Sequence, residues 1–247
     1  MHLPMDVWPT LAQLNARLTG QQTCGGQHVH FVAPQSSTQA GYYERKVFEE
    51  GMVQTRFNSW HDFFNAMAWI SWPQTKACLN AAHIHELERQ AGSHRSAGRD
   101  RLTQFDEDGV VVACACPRLA EALRQFDWQN LFVDVRAAWD STIDAFIVGH
   151  ALYEKMLQPY LGVTGKALIM PVEVDFFSRP LAEQMIAIDN WAAAEVASGR
   201  LMQRPLHPLP VLGIPGWDER NAEASFYDNQ NYFRPGRLRC AFMSDGK

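Results

Sequence analysis

The chain lacks any apolar run long enough to span a bilayer, so no membrane partner is expected. Its first residues, MHLPMDVWPTLAQLNARL, lack the basic stretch and apolar segment of a secretory leader. Cysteine is sparse: Cys24, Cys78, Cys114, Cys116 and Cys240 are scattered, odd in number and form no CxxC. That argues against a disulfide framework or a zinc knuckle and predicts reduced thiols in a cytoplasmic protein. Positive charge is not in excess. With a net charge of −5, no global field recruits nucleic acid or anionic lipid, so a nucleic-acid partner is not expected. HExxH, GxSxG, GxGxxG and GxxxxGKS/T are all absent. The familiar metalloprotease, α/β-hydrolase, dinucleotide and phosphate-loop signatures are therefore missing, which leaves other enzymes open. No repeat and no low-complexity linker divides the chain. One domain over 1–247 is expected, with a loosely held tail over 236–247.

What the chain does contain is apolar and aromatic. It is 47% apolar and 20% charged, the balance of a globular protein with a real core, and it carries 8 Trp and 14 Phe. A short helix is predicted over 9–18, opening at Pro9. HVHFV (28–32) alternates like a strand, with His28 and His30 on one face; the pair is a weak metal motif and fits a solvated face as well. The clearest helix starts at Asn58 or Ser59, where Ser59 and Asp62 have capping-box form. Trp60, Phe63, Phe64, Met67 and Ala68 then fall at helical spacing, and Trp60, Phe63, Phe64 and Met67 are expected to be core. On full burial, Phe63→Ala would cost about 3–5 kcal/mol.

Pro73 is read as the stop of that helix. A second helix follows over 74–91, ending at Gly92, with Lys76, Asn80 and His83 along one stripe. HRSAGRDR (94–101) reads as a basic connection. Asp108-Gly109 reads as a hairpin turn between β-rich runs. Residues 118–126 suggest a helix, 142–148 a strand, GHALYEKMLQ a helix, 166–174 a strand and 180–198 a helix. HPLPVLGIPGW (207–217) reads as irregular. The fold class expected is α+β, helices packed on a small mixed sheet.

Four segments together, RFNSWHDFFNAMAW (56–69), RSAGRDRLTQFDEDG (95–109), GHALYEK (149–155) and PLPVLGIPGW (208–217), resemble the family catalogued as domain of unknown function 3025. PQTKACLNAAH (73–83) and FYDNQNYFRP (226–235) add to the resemblance, which covers about 40–235. It implies kinship and carries no activity.

Five constellations could carry chemistry. His61, Asp62 and Asn65 share a helix start: His61 could be a general base with Asp62 or another carboxylate orienting it, or His61 and Asn65 could bond internally. Lys76, Asn80 and His83 could receive a carboxylate or phosphate, or form a solvated face. Arg95, Arg99, Asp100 and Arg101 could hold an anion bidentately, or make an ordinary surface loop. Asp106 and Glu107, on a strand, would face opposite ways, so at most one enters a cleft. His150 and Glu154 share a helical face at a spacing that suits two metal ligands or an exposed ion pair.

Two functions follow. The first is a hydrolase of a phosphate or ester small-molecule substrate, with His61, His83, His150, Glu154, Asp100 and Asp106 as the catalytic set. Arg95, Arg99 and Lys76 would bind the anion, and a divalent metal is an option the spacing leaves open. The second is a non-catalytic binding protein, with an aromatic pocket or partner surface made by the Trp-rich helix and the PLPVLGIPGW loop.

Overall fold

The computed structural model describes residues 8–35, 41–89 and 96–236. In chain order the elements are α1 (Leu11–Asn15), β1 (His30–Val32), α2 (Tyr42–Glu50), β2 (Met52–Gln54), α3 (Trp60–Ser71), α4 (Pro73–Arg89), α5 (Ala97–Asp108), β3 (Gly109–Cys114), α6 (Pro117–Gln125), β4 (Ile143–Ile147), α7 (His150–Leu157), β5 (Thr164–Pro171), α8 (Leu181–Ala197), α9 (Arg200–Gln203) and β6 (His207–Pro210). The fold is α+β. A four-stranded mixed sheet runs in the order β4-β3-β5-β6, and β1 and β2 form a separate parallel pair.

All six residues of β3, GVVVAC, are buried, as expected of a central β-branched strand covered on both faces. It runs parallel to β5 (Val112 opposite Ile169) and antiparallel to β4 (Val112 opposite Ala145). Val110 and Val112 face Phe132, Trp139 and Tyr227. Val111 and Ala113 face Leu79, Leu102, Phe105 and Ile188 from α4, α5 and α8. A third apolar cluster joins the β1–β2 pair to α3 and α4 through Phe31, Val53, Trp69 and Ala77.

Several sequence expectations need correction. The segment 97–108 is neither a basic connection nor the arm of a hairpin. It is one helix, capped by the Ser96 hydroxyl, which accepts from Arg99 N, and anchored by Leu102 and Phe105. Asp108-Gly109 is therefore a helix-to-strand junction, and β3 finds its partners far along the chain rather than next door. Pro73 does not end a helical region. Trp72 breaks α3, and Pro73 opens α4 at once. The start of α4 is capped from 115 residues away: the Asp189 carboxylate accepts from Gln74 N and Thr75 N. His207–Pro210 is a strand despite its prolines, because it is the sheet edge, where missing N–H groups cost nothing. Gly92 and the tail beyond 236 lie outside the described residues.

The aromatic stripe is also corrected. Trp60, Phe63, Phe64 and Met67 are only half-buried. The buried side of α3 carries Asp62, Asn65, Ala66, Ala68 and Trp69 instead. The stripe packs ring on ring with Trp8 (4.4 Å from Trp60) and Tyr153 (5.7 Å from Phe64), while Phe63 and Met67 lie against the edge of the third cluster. Phe63→Ala is therefore expected to cost less than the full-burial figure. PLPVLGIPGW does not stack on these aromatics: Val211, Leu212 and Ile214 are buried in the cluster of Phe132 and Tyr227.

Two glycines hold the junctions together. Val148 N and Gly149 N both donate to Gly109 O at 2.9 Å. A Cβ on Gly149 would lie 2.3 Å from Gly109 N and 2.4 Å from Glu107 O, and a Cβ on Gly109 would lie 2.2 Å from Phe105 O. The α5–β3 junction thus rests directly on the β4–α7 junction, with no room for a side chain. Gly149→Ala is expected to lower unfolding stability in urea by about 1–3 kcal/mol or more, because the obstructing atoms are backbone. A loss below about 0.5 kcal/mol, the range of neutral surface changes, would show that the contact is not tight.

Candidate functional site

A polar cavity of about 470 Å³ opens among α2, α3, α4, α5 and the first residue of α7. The glycine contact explains its centre: it sets the last turn of α5, with Asp106 and Glu107, beside His150 at the start of α7. Asp106 and Glu107 both line the cavity, because on a helix they are about 100° apart rather than on opposite strand faces.

The core of the site is a chain of contacts. His61 Nδ1 lies 3.3 Å from Glu154 Oε2. His61 Nε2 lies 3.2 Å from His150 Nε2. His150 Nδ1 lies 3.9 Å from Asp106 Oδ2, and Asp106 Oδ1 accepts from Lys76 Nζ at 2.5 Å. Lys76 is 5% exposed and His150 6%. Burial pushes His150 down to about 4, reinforced by the nearby Lys76 and His61 charges and opposed by Asp106. Burial likewise lowers His83. Burial would raise the Asp106 carboxyl, but Lys76 and His150 pull it down to about 2. His150 is therefore neutral and Asp106 ionised at pH 7.

One arrangement of ring hydrogens satisfies these contacts. The Glu154 carboxylate only accepts, so His61 Nδ1 carries the hydrogen. The two facing Nε2 atoms share one hydrogen, and with His150 Nε2–H as the donor His61 Nε2 is the acceptor. The lone pair of His150 then sits on Nδ1, a buried atom with no hydrogen-bond partner among the described residues.

The same cavity gathers other such atoms. Seven buried side-chain polar atoms among the described residues have no hydrogen-bond partner. Six belong to its lining: Asn65 Oδ1, Trp69 Nε1, Asn80 Oδ1, His83 Nδ1, Arg99 Nε and His150 Nδ1. Each such group costs about 1–3 kcal/mol when left without any partner. Their concentration in one place leaves this lining short of hydrogen-bond partners.

The remaining sequence candidates sort by what they touch. Asp62 does not orient His61. It is held by Arg56 through the backbone N–H (2.7 Å) and the guanidinium (2.8 and 2.9 Å), and Glu154 takes the orienting place. Asn65 donates to the Tyr43 hydroxyl at 2.9 Å rather than to His61. Arg99 lines the cavity with Glu44 3.7 Å away. Arg101 instead ties α5 to α9 by donating to the carbonyls of Met202 and Arg204. Asp100 lies in the first turn of α5 and does not line the cavity. Arg95 lies outside the described residues. Tyr43, Glu44, Arg56 and Trp69 are lining residues that sequence reading missed. Only a buried-polar pattern on α3 could have pointed to them, since α2 carries no motif.

His61 and His150 are the natural nitrogen donors for a metal. Among the described residues, however, no three His, Cys, Asp or Glu side chains are grouped to hold an ion. His28 and His30 contribute to no such group: His28 contacts Gln22, and His30 Nδ1 contacts the His28 carbonyl. No described helix is long and apolar enough to cross a membrane.

A family model described as a protein of unknown function, DUF3025, matches residues 29–237. No curated protein and no solved structure matches the chain.

The depressed His150 value has a consequence for stability. A histidine free in the unfolded chain protonates near about 6.5, whereas His150 in the fold waits until about 4. Between those values the unfolded state binds a proton that the native state does not, so stability falls as pH falls through this window and levels off below about 4. The limb is on the order of 3 kcal/mol at most. His150→Gln should remove it from urea melts taken between pH 7 and pH 4. Identical pH slopes for variant and wild type would contradict a buried neutral His150.

Proposed function

Since the chain belongs to the DUF3025 family, whose description assigns no activity, we propose from the site alone that the protein is a hydrolase of a phosphate or ester small-molecule substrate, activating water through a Glu154–His61–His150 relay. The observation that carries this reading is the Nε2–Nε2 contact of the two histidines, with a carboxylate behind one and an unpartnered buried nitrogen at the other.

The relay works by moving two protons. A water in the cavity gives a proton to His150 Nδ1 as its oxygen attacks the substrate. His150 Nε2–H passes its proton to His61 Nε2. His61 becomes an imidazolium whose charge faces the Glu154 carboxylate, and His150 remains neutral. An imidazole held near 4 is by itself a weak base at neutral pH. Passing the proton on to the less buried His61, beside Glu154, offsets that weakness. Arg99 Nε and Trp69 Nε1 are the donors available to the electron-rich end of the substrate. Lys76 keeps Asp106 ionised, which limits its part in holding an anion. Reversing the two transfers supplies a proton to the leaving group.

A non-catalytic binding role is the second reading. It is favoured by an apolar groove of about 450 Å³ lined by Trp8, Leu11, Leu14, Pro34, Phe57 and Phe63, in which Phe57 is 69% exposed. Turnover separates the two readings. In a panel of chromogenic phosphate and carboxylic esters, His150→Ala should lower kcat about 10²–10⁴-fold, the usual weight of a general base, and Glu154→Gln should lower it less. Activity that is equal in wild type and His150→Ala would sink the hydrolase reading.

The proposed compartment is the cytoplasm. Cys24, Cys78, Cys114 and Cys116 are free, and the Cys24 and Cys78 sulfurs, 3.9 Å apart, are beyond bonding distance. Thiol titration of denatured, unreduced protein from its native source should count five thiols. Two intact disulfides would overturn the assignment.

A further inference from the structure

Resting on the reading of the cavity as a substrate site, we propose that its substrate is an uncharged carboxylic ester or amide carrying its own hydroxyl or N–H donor, and not a phosphate ester. Two observations lead there, one from hydrogen bonding and one from charge.

The first is Asn80, which is 6% exposed. Its Nδ2 donates to the Glu44 carbonyl at 2.9 Å. A carbonyl can only accept, so the amide cannot be turned round, and Oδ1 is an obligate acceptor on a residue that lines the cavity. No described protein group donates to it. Asn65 is different: its partner is the Tyr43 hydroxyl, which can donate or accept, so either amide orientation is satisfied. Glu107 adds a second acceptor-only group to the lining. A bare oxyanion has nothing to offer Asn80 or Glu107. A hydroxyl or N–H has. The two available donors, Trp69 Nε1 and Arg99 Nε, suit the carbonyl oxygen of the same molecule.

The second observation is the charge inventory. The permanently charged groups of the lining are Arg56, Lys76 and Arg99 against Glu44, Asp62, Asp106 and Glu107. Each cation already faces a carboxylate: Arg56 with Asp62, Lys76 with Asp106, Arg99 with Glu44. The lining therefore has no Arg or Lys left over to balance a phosphate dianion. Bringing one in would place it near carboxylates whose charges are only locally compensated, an arrangement that is repulsive in a partly desolvated cavity.

Matched probes test this by binding, with no turnover required. Methyl lactate and its O-methyl ether differ by one donor, as do N-acetylalanine methyl ester and its N-methyl analogue. Inorganic phosphate and methyl phosphate serve as the anionic probes. Calorimetric titration of the full chain, carried out on His150→Ala so that no probe is consumed, should show each donor-bearing ester binding at least about tenfold tighter than its methylated partner and than either phosphate. Asn80→Ala should level the pairs. Asn80→Leu, of similar size and without polar atoms, should level them as well and serves if the alanine variant fails to fold. Equal affinities within the pairs, tighter binding of phosphate, or no binding of any ester would each overturn the proposal. Its failure is distinct from that of the hydrolase reading. Donor preference without hydrolysis removes the catalysis and leaves this inference, whereas hydrolysis of phosphate esters without donor preference does the reverse.

Discussion

One contact between backbones governs the arrangement: Gly149 against Gly109, with the Gly109 carbonyl accepting from two successive amides. It brings together two helix ends, Asp108 and His150, that are 42 positions apart in the chain. One end carries Asp106 and the other His150. Without that close approach the two groups would be separated by at least a side-chain layer. The sheet supplies the rigidity. β3 leaves Gly109 into the middle of the molecule and is paired on both edges, so the junction is pinned from the core side.

The second feature is the inverted helix α3. It turns Asp62 and Asn65 inward and leaves a half-buried row of rings outward. A helix that served only stability would do the opposite. The inversion is sustained because the buried polar groups face the cavity and other polar side chains rather than hydrocarbon. The outward rings recover part of their burial by stacking on Trp8 and Tyr153.

Helix α4 shows the same division of labour. One side, through Leu79, packs on the sheet cluster, while Lys76, Asn80 and His83 line the cavity. Its N-terminus is capped by Asp189, so the position of the cavity wall is coupled to α8, on the side away from the site. Burial raises the Asp189 carboxyl, opposed by the amides it caps. The cap is thus a buried carboxylate held by backbone donors.

The sequence by itself determined the local events. Ser59 as a cap, the helix stripe of Lys76, Asn80 and His83, the strand–helix–strand run from 143 to 171 and the α+β class all follow from spacing and short-range hydrogen bonding, and they were legible there. The His61–Asn65 and His150–Glu154 spacings were visible too, though not their partners. What only the tertiary structure decided is which helix face is inside, which carboxylate meets which histidine, and that 97–108 is a helix. Asp106 meets Lys76 across 30 residues and His61 meets His150 across 89. Local pattern cannot choose between the two faces of α3, because both are rich in large side chains. The choice is made by what the rest of the fold offers each face, a polar cavity on one side and a ring of aromatics on the other.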